Sequence, residues 1–211
     1  MKAHLEKSNI MQEVVDFLND VIETRSNVRI IMGGDFGPVY NYNQIYIPYL
    51  FLDDTKAMLL DARYYHHREN IDLVLNDILM HTIFHEFGHA LIEQYEIPVL
   101  GREEDAADSL ANFLVLHHFD DGPDILKSIA DLFYLESKEV SRYSREDLAG
   151  EHSLDIQRYY MIMCHAYGSD PQKNQEFRRK AKFTAERAES CELEFNDMAY
   201  SWVTLLKRYL K

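Results

Sequence analysis

Apolar residues along the chain fall into stretches with clear periodicity, separated by polar breaks. From Ser8 to Thr24, the positions Ile10, Met11, Val14, Val15, Phe17, Leu18, Val21 and Ile22 recur at the spacing of one helix face, with Ser8 placed as its N-cap. Val28 to Met32 is short, apolar and β-branched, which predicts a strand, and Gly33-Gly34-Asp35 with Gly37-Pro38 predicts a loop after it. Asparagines suggest a turn before a second strand from Gln44 to Tyr49. Pro48 has no amide to give to a ladder, so this strand is expected at a sheet edge. Phe51 to Asp61 predicts a short helix. Leu75, Ile78, Leu79, Phe84, Phe87, Leu91 and Ile92 then mark a buried helix, which Pro98 and Gly101 end. Glu103 to Leu116 reads as the next helix, its stripe running on toward Phe119, and Asp120-Asp121-Gly122-Pro123 stops it. Ile125 to Tyr134 is helical, and Lys138 to Gly150 is polar and predicts a loop or lid-like segment. Ser153 to Tyr167 is helical up to Gly168-Ser169-Asp170-Pro171. Gln175 to Leu210 is a long helical stretch, open to an interruption, whose stripe of Cys191, Phe195, Met198, Trp202, Leu205 and Leu206 is core packing.

These elements predict an α+β fold, predominantly helical, with a small sheet. The chain of 211 residues is long enough to bury one sizeable core. No internal repeat, low-complexity linker or second-domain signal divides it, so one domain over residues 1–211 is expected. Hydrophobic residues make up 46%, with 14 tyrosines and 11 phenylalanines, which is the composition of a folded chain rather than a disordered one. Against 36 acidic side chains stand 22 Lys and Arg, a net charge of −14. That balance offers no electrostatic footprint for nucleic acid or for an anionic membrane. No apolar run approaches the roughly 18 residues that span a bilayer.

The first residues, Met1 to Ile10, lack the apolar core of a signal peptide. Either the protein is cytoplasmic, or it is exported and its signal has been removed. Cys164 and Cys191 are either buried thiols or one disulfide between two C-terminal helices; export would favour the disulfide, which closes a loop and adds about 3 kcal/mol in the chain-entropy model. The sequence assigns no oligomeric state.

The chemistry concentrates in His85-Glu86-Phe87-Gly88-His89, inside the buried helix. Residues four apart share a helix face, so His85 and His89 can present two imidazoles to one metal ion, and Glu86 can reach a water beside it. The string is H-E-x-x-H, the signature of zinc metallopeptidases: two ligands and a general base. Gly88 between the histidines costs about 1 kcal/mol of helix propensity and suggests close approach by a neighbouring element. His81 lines up one turn earlier, where packing or support of the site suits it better than ligation. His66 and His67 are adjacent in sequence, share no helix face, and read as surface or loop residues.

A catalytic zinc needs a third protein ligand and one open position. A metzincin would place a histidine six residues past His89, where this chain has Tyr95, and a glycine where it has Ile92. The remaining option is an acid from the next helix. Glu104 and Asp108 are one turn apart in Gly101-Arg102-Glu103-Glu104-Asp105-Ala106-Ala107-Asp108. This E-x-x-x-D resembles thermolysin-like enzymes (gluzincins), where the glutamate binds zinc and the aspartate holds the first histidine. Fixing a ligating imidazole through its other N–H is the physical reason for the aspartate. Glu103 is the rival ligand. Downstream, Glu151-His152-Ser153-Leu154-Asp155 offers an imidazole to an oxyanion, oriented by Asp155. Alternatively His152 caps a helix beside a structural cluster of Glu151, Asp155 and Arg158, and Tyr159 or Tyr160 takes the catalytic place.

These motifs together resemble a bacterial family described as "putative metallopeptidase". The matching pieces are His85 to Leu91, Gly101 to Asp108, and Glu151 to Asp155 with Gln157, Arg158 and Tyr160, and the resemblance runs from about Tyr40 to Trp202. It implies a zincin-like fold, a zinc site and export. In zincins an edge strand beside the zinc helix pairs with extended substrate, a role the Gln44 to Tyr49 strand is placed to fill. The expected reaction is hydrolysis of an amide bond in a peptide or protein by a zinc-activated water. Zn2+ sits on His85, His89 and Glu104, with Glu86 as general base and His152 at the oxyanion. The competing expectations are a zinc-binding protein without turnover, against which Glu86 speaks, and a hydrolase of a non-peptide amide.

Overall fold

A central buried helix organises the computed structural model, which describes residues 1–64, 68 and 70–211. In chain order the elements are α1 (Lys2–Ser8), α2 (Ile10–Val21), β1 (Arg29–Met32), β2 (Val39–Asn41), β3 (Gln44–Ile47), α3 (Tyr49–Ala62), α4 (Ile71–Tyr95), α5 (Glu103–His118), α6 (Gly122–Glu139), α7 (Arg145–Ala149), α8 (Asp155–Ser169), α9 (Gln175–Ala181) and α10 (Ala185–Leu206). The protein is thus predominantly helical with one small sheet, an α+β arrangement.

α4 is the central helix. Asn70 starts it by accepting the Asp72 and Leu73 amides at 2.9 and 3.1 Å, and Glu96, in the left-handed region at φ 51°, ends it two residues before Pro98. Buried side chains lie all round it, including Leu79, Ile83, Phe84 and Leu91, as expected of a helix enclosed by neighbours. α5 opens with Glu103, Glu104 and Asp105 in its first turn, where the helix dipole favours acids. It crosses α4 at Gly88, where a Cβ would stand 3.2 Å from the Ala107 Cα. The glycine between the two histidines is therefore the point of close helix approach that its position suggested.

α8 packs between α6 and α10, and the Cys164–Cys191 disulfide joins α8 to α10. At Gly168 a Cβ would come within 2.2 Å of the Cys191 carbonyl oxygen, so glycine is what lets these two helices meet. Buried Asp77 accepts two bonds from Arg68, at 2.9 and 2.8 Å, and one from Ser128 at 2.6 Å, fastening the approach to α4, and α6, onto the central helix. Among the described residues no helix is long and apolar enough to cross a membrane.

The sheet corrects one expectation. Its order is β1-β3-β2, with β1 parallel and β2 antiparallel to β3. The Gln44 to Tyr49 strand is therefore the middle strand, not an edge. It ends at Ile47, and Pro48 stands as the N-cap of α3, where a missing amide costs no ladder bond. The edge beside α4 is β2, paired with β3 as Val39 with Tyr46, Tyr40 with Ile45 and Asn41 with Gln44. Tyr42 and Asn43, both at positive φ (44° and 61°), form the two-residue turn between them.

Smaller differences follow from local chemistry. The first helical stretch breaks at Asn9, at φ 57°, so Asn9 rather than Ser8 precedes α2. The helix expected over Phe51 to Asp61 spans Tyr49–Ala62, and that over Ile125 to Tyr134 spans Gly122–Glu139. The polar segment before Gly150 contains α7, which Ser144 and Asp147 start with a reciprocal capping box. The C-terminal stretch is two helices, α9 and α10, separated by Lys182 in the left-handed region and by Thr184, whose side chain caps α10. His66 and His67 lie outside the described residues.

Candidate metal centre

One turn of α4 and one turn of α5 face each other and bring His85, His89 and Glu104 together. His85 Nε2 lies 3.1 Å from Glu104 Oε2 and 3.4 Å from His89 Nε2, and His89 Nε2 lies 3.4 Å from Glu104 Oε2. A tetrahedral zinc with bonds of roughly 2.0–2.1 Å sets its ligand atoms about 3.3 Å apart. These three atoms therefore have the spacing of one face of such a tetrahedron. Two imidazoles and a carboxylate are also the donor types that zinc takes.

The far sides of both rings are held by acids. His85 Nδ1 donates to Asp108 Oδ1 at 2.8 Å, the contact the E-x-x-x-D spacing predicts. Asp108, only 2% exposed, also accepts Arg158 Nε and Nη2, each at 2.7 Å. His89 Nδ1 pairs with Glu103 Oε1 at 2.8 Å. Glu103, weighed as a rival ligand, thus meets the opposite ring nitrogen from the one that faces Glu104. Sequence reasoning assigned Glu103 no role behind His89 and placed Arg158 in a cluster with Glu151 and Asp155. Arg158 stands fifty positions from Asp108, and no local spacing signals that pair.

The charges follow from these contacts. Burial would lower the His85 pKa, but hydrogen bonds to Asp108 and Glu104 outweigh it and raise it to about 9. The proton on Nε2 then occupies the direction a metal would take. Burial would raise Glu104, yet His152, His85 and His89 hold it well below the usual carboxylate range. Asp108 is likewise held low against its burial, by Arg158 and His85. Burial pushes Glu86 up, with His85 and His89 drawing it part of the way back.

Glu86, itself buried, lines a cleft of about 840 Å³ together with the three clustered residues. Val39, Tyr40 and Asn41 of β2 line it, as do Arg102 and His152. His152 Nε2 lies 2.9 Å from Glu104 Oε2 and its side chain is 57% exposed. Its ring thus faces Glu104 and is not held by Asp155. Arg102 holds this segment, its guanidinium donating to the His152 carbonyl at 3.2 Å and to Ser153 Oγ at 3.3 Å. His85, Glu104 and His152 also have ligand atoms within 4.8 Å of one another, so two triads share His85 and Glu104. In the triad with His89 all three separations lie between 3.1 and 3.4 Å.

The tyrosine alternatives do not reach the cleft. Tyr159 is buried against Tyr134, and Tyr160 packs toward Phe183. His81 is tied to Asn112 instead, its Nε2 2.9 Å from Asn112 Oδ1, while Asn112 Nδ2 meets His165 Nδ1 at 3.2 Å. Burial holds both histidines at about 4, hence neutral at pH 7. That is a packing role, as its surplus over the needs of a metal site suggested.

A family model with the description "Putative metallopeptidase" matches residues 1–206. No curated protein and no solved structure matches the chain.

Proposed function

The chain belongs to this "Putative metallopeptidase" family, and from that premise we propose that it is a zinc-dependent peptidase of zincin-like, gluzincin type. His85, His89 and Glu104 would hold the ion. The observation that carries the reading is the near-tetrahedral spacing of their three donor atoms, 3.1, 3.4 and 3.4 Å, in a cleft that also holds Glu86. When bound, zinc supplies Lewis acidity toward water and toward the substrate carbonyl.

The protein's own groups account for the rest. Asp108 keeps the His85 proton on Nδ1 and so leaves Nε2 free as a donor to metal. The Glu86 carboxylate takes the proton of the attacking water and returns it to the departing amine. Burial raises its pKa, which makes it a stronger base than an exposed carboxylate. His152, held by Arg102, offers an N–H to the oxygen that gains charge. β2 has one ladder edge unpaired within the sheet and lines the cleft, so an extended peptide can add to it as a further strand. β2 therefore takes over the role expected of Gln44 to Tyr49. Disulfides persist in oxidising compartments, so the Cys164–Cys191 bridge supports export.

The position of His152 supports a second reading. If His152 is a fourth ligand, the site is closed, and zinc is structural in a binding protein without turnover. Two variants separate the readings. At equal zinc occupancy, Glu86→Gln should lose at least about 10²-fold in hydrolysis of any peptide that the wild type cleaves. His152→Ala should keep its zinc. Loss of zinc from His152→Ala, with no cleavage by the wild type across a broad peptide library, would establish the closed site instead.

A further inference from the structure

A second, smaller cavity opens beside the cleft. Pro38, His85, Glu86 and His152 line both, so the two meet where the substrate amide would sit. The smaller one has a volume of about 170 Å³. Engineered apolar cavities of about 150 Å³ take up benzene, so this space admits one side chain. Ile78 of α4 and Leu132 and Phe133 of α6 give it an apolar side, and His81, Thr82 and Arg158 a polar one.

One charged group in it is not spent on a neighbour. Glu136 of α6 also lines it. It is half-buried, and it makes no hydrogen bond or ion pair among the described residues. Burial, aided by Asp155 and Glu139 and opposed by Arg158, pushes it up to about 7. Arg158 attracts it from nearby but directs Nε and Nη2 to Asp108, each at 2.7 Å. A carboxylate partly withdrawn from water gains from a cation that pairs with it.

We propose that this pocket takes the lysine or arginine side chain of a substrate residue beside the scissile bond, its alkyl stem against Leu132 and Phe133 and its charge on Glu136. The proposal deepens the peptidase reading and rests on it. A leucine or phenylalanine side chain would fill the walls but shut Glu136 away from water without a partner. An acidic side chain would meet a like charge. The main cleft carries acids of the same sign away from the metal ligands, Glu93, Glu103 and Glu151 beside Arg102, so a basic peptide is drawn in along its length.

The test compares lysine with norleucine, which has the same stem without the ammonium. Dye-labelled peptides on a neutral scaffold carry one or the other at each position in turn. Their binding to the zinc-loaded full chain is read by fluorescence anisotropy in the Glu86→Gln background, which prevents turnover. At one position lysine should bind roughly 10-fold tighter than norleucine, the scale of a hydrogen-bonded charge pair. Adding Glu136→Gln, close in size, should remove most of that difference.

No position favouring lysine, or a lysine preference that survives Glu136→Gln, overturns the proposal. The first comparison needs no change at Glu136, so a folding defect in that variant cannot mask the answer. Cleavage by the zinc-loaded wild type is scored separately. Glu136-dependent lysine binding without any cleavage overturns the peptidase reading and leaves the pocket standing. Cleavage without a lysine preference does the reverse.

Discussion

Asp108 carries two loads at once, and replacing it separates them. It is 2% exposed and holds the guanidinium of Arg158 through two bonds of 2.7 Å. Asp108→Ala would strand that cation in the interior, above Phe133, whose ring lies 3.9 Å from the guanidinium carbon. Breaking one side of a buried ion pair costs about 3–5 kcal/mol. The same change removes the acceptor 2.8 Å from His85 Nδ1. An imidazole freed from such a carboxylate loses about 10–100-fold in metal affinity, or roughly 1.4–2.7 kcal/mol.

The double variant Asp108→Leu with Arg158→Met discriminates between the two effects. Removing both charges and refilling the space should recover stability to within about 1–2 kcal/mol of wild type, since well-packed apolar replacements of buried pairs are often neutral. Zinc affinity should stay low, because the His85 Nδ1 proton still has no acceptor. Urea unfolding in excess chelator reads stability of the metal-free chain, and competition with a chromogenic chelator at pH 7 reads affinity. Affinity is compared only where circular dichroism shows each variant folded. Wild-type affinity in the double variant would refute the orienting role and leave Asp108 as the counter-ion of Arg158 alone.

Two further outcomes are expected. Gly88→Ala gains about 1 kcal/mol of helix propensity, but its methyl would lie 3.2 Å from the Ala107 Cα, where only backbone can give way. A net loss of about 1–2 kcal/mol is expected from the overpacking, with weaker zinc binding because α5 carries Glu104; a thermal melt and the chelator competition check both, and a more stable variant with unchanged affinity would contradict the helix contact. His165 is 7% exposed and burial lowers its pKa from 6.5 to about 4. The unfolded chain protonates there first, so the stability of burying the neutral ring is full above pH 6.5 and is lost as pH falls toward 4. The loss should amount to about 3 kcal/mol, and His165→Gln should flatten the pH dependence of urea unfolding across that window; parallel curves for the two proteins would refute it.

Much of this molecule is legible in its sequence because helices encode their own geometry. The spacing of Leu75 to Ile92 identifies α4, and residues four apart place His85 with His89 and Glu104 with Asp108 on single faces, whatever packs around them. Glycine at 88 marks a close contact because nothing else explains its cost in a buried helix. What periodicity does not encode is how one helix is rotated against another. That rotation, set where Gly88 meets Ala107, decides that Glu104 faces the Nε2 atoms while Glu103 turns to Nδ1 of His89. It also lets Arg158 reach Asp108 from a distant helix and sets His152 against Glu104 instead of Asp155. The sheet makes the same point. Pro48 is read as an edge signal only if the strand runs through it, and the chain turns into α3 one residue earlier. Contacts within a turn of helix are written in sequence spacing; contacts between elements depend on how whole faces pack, and only the assembled fold decides them.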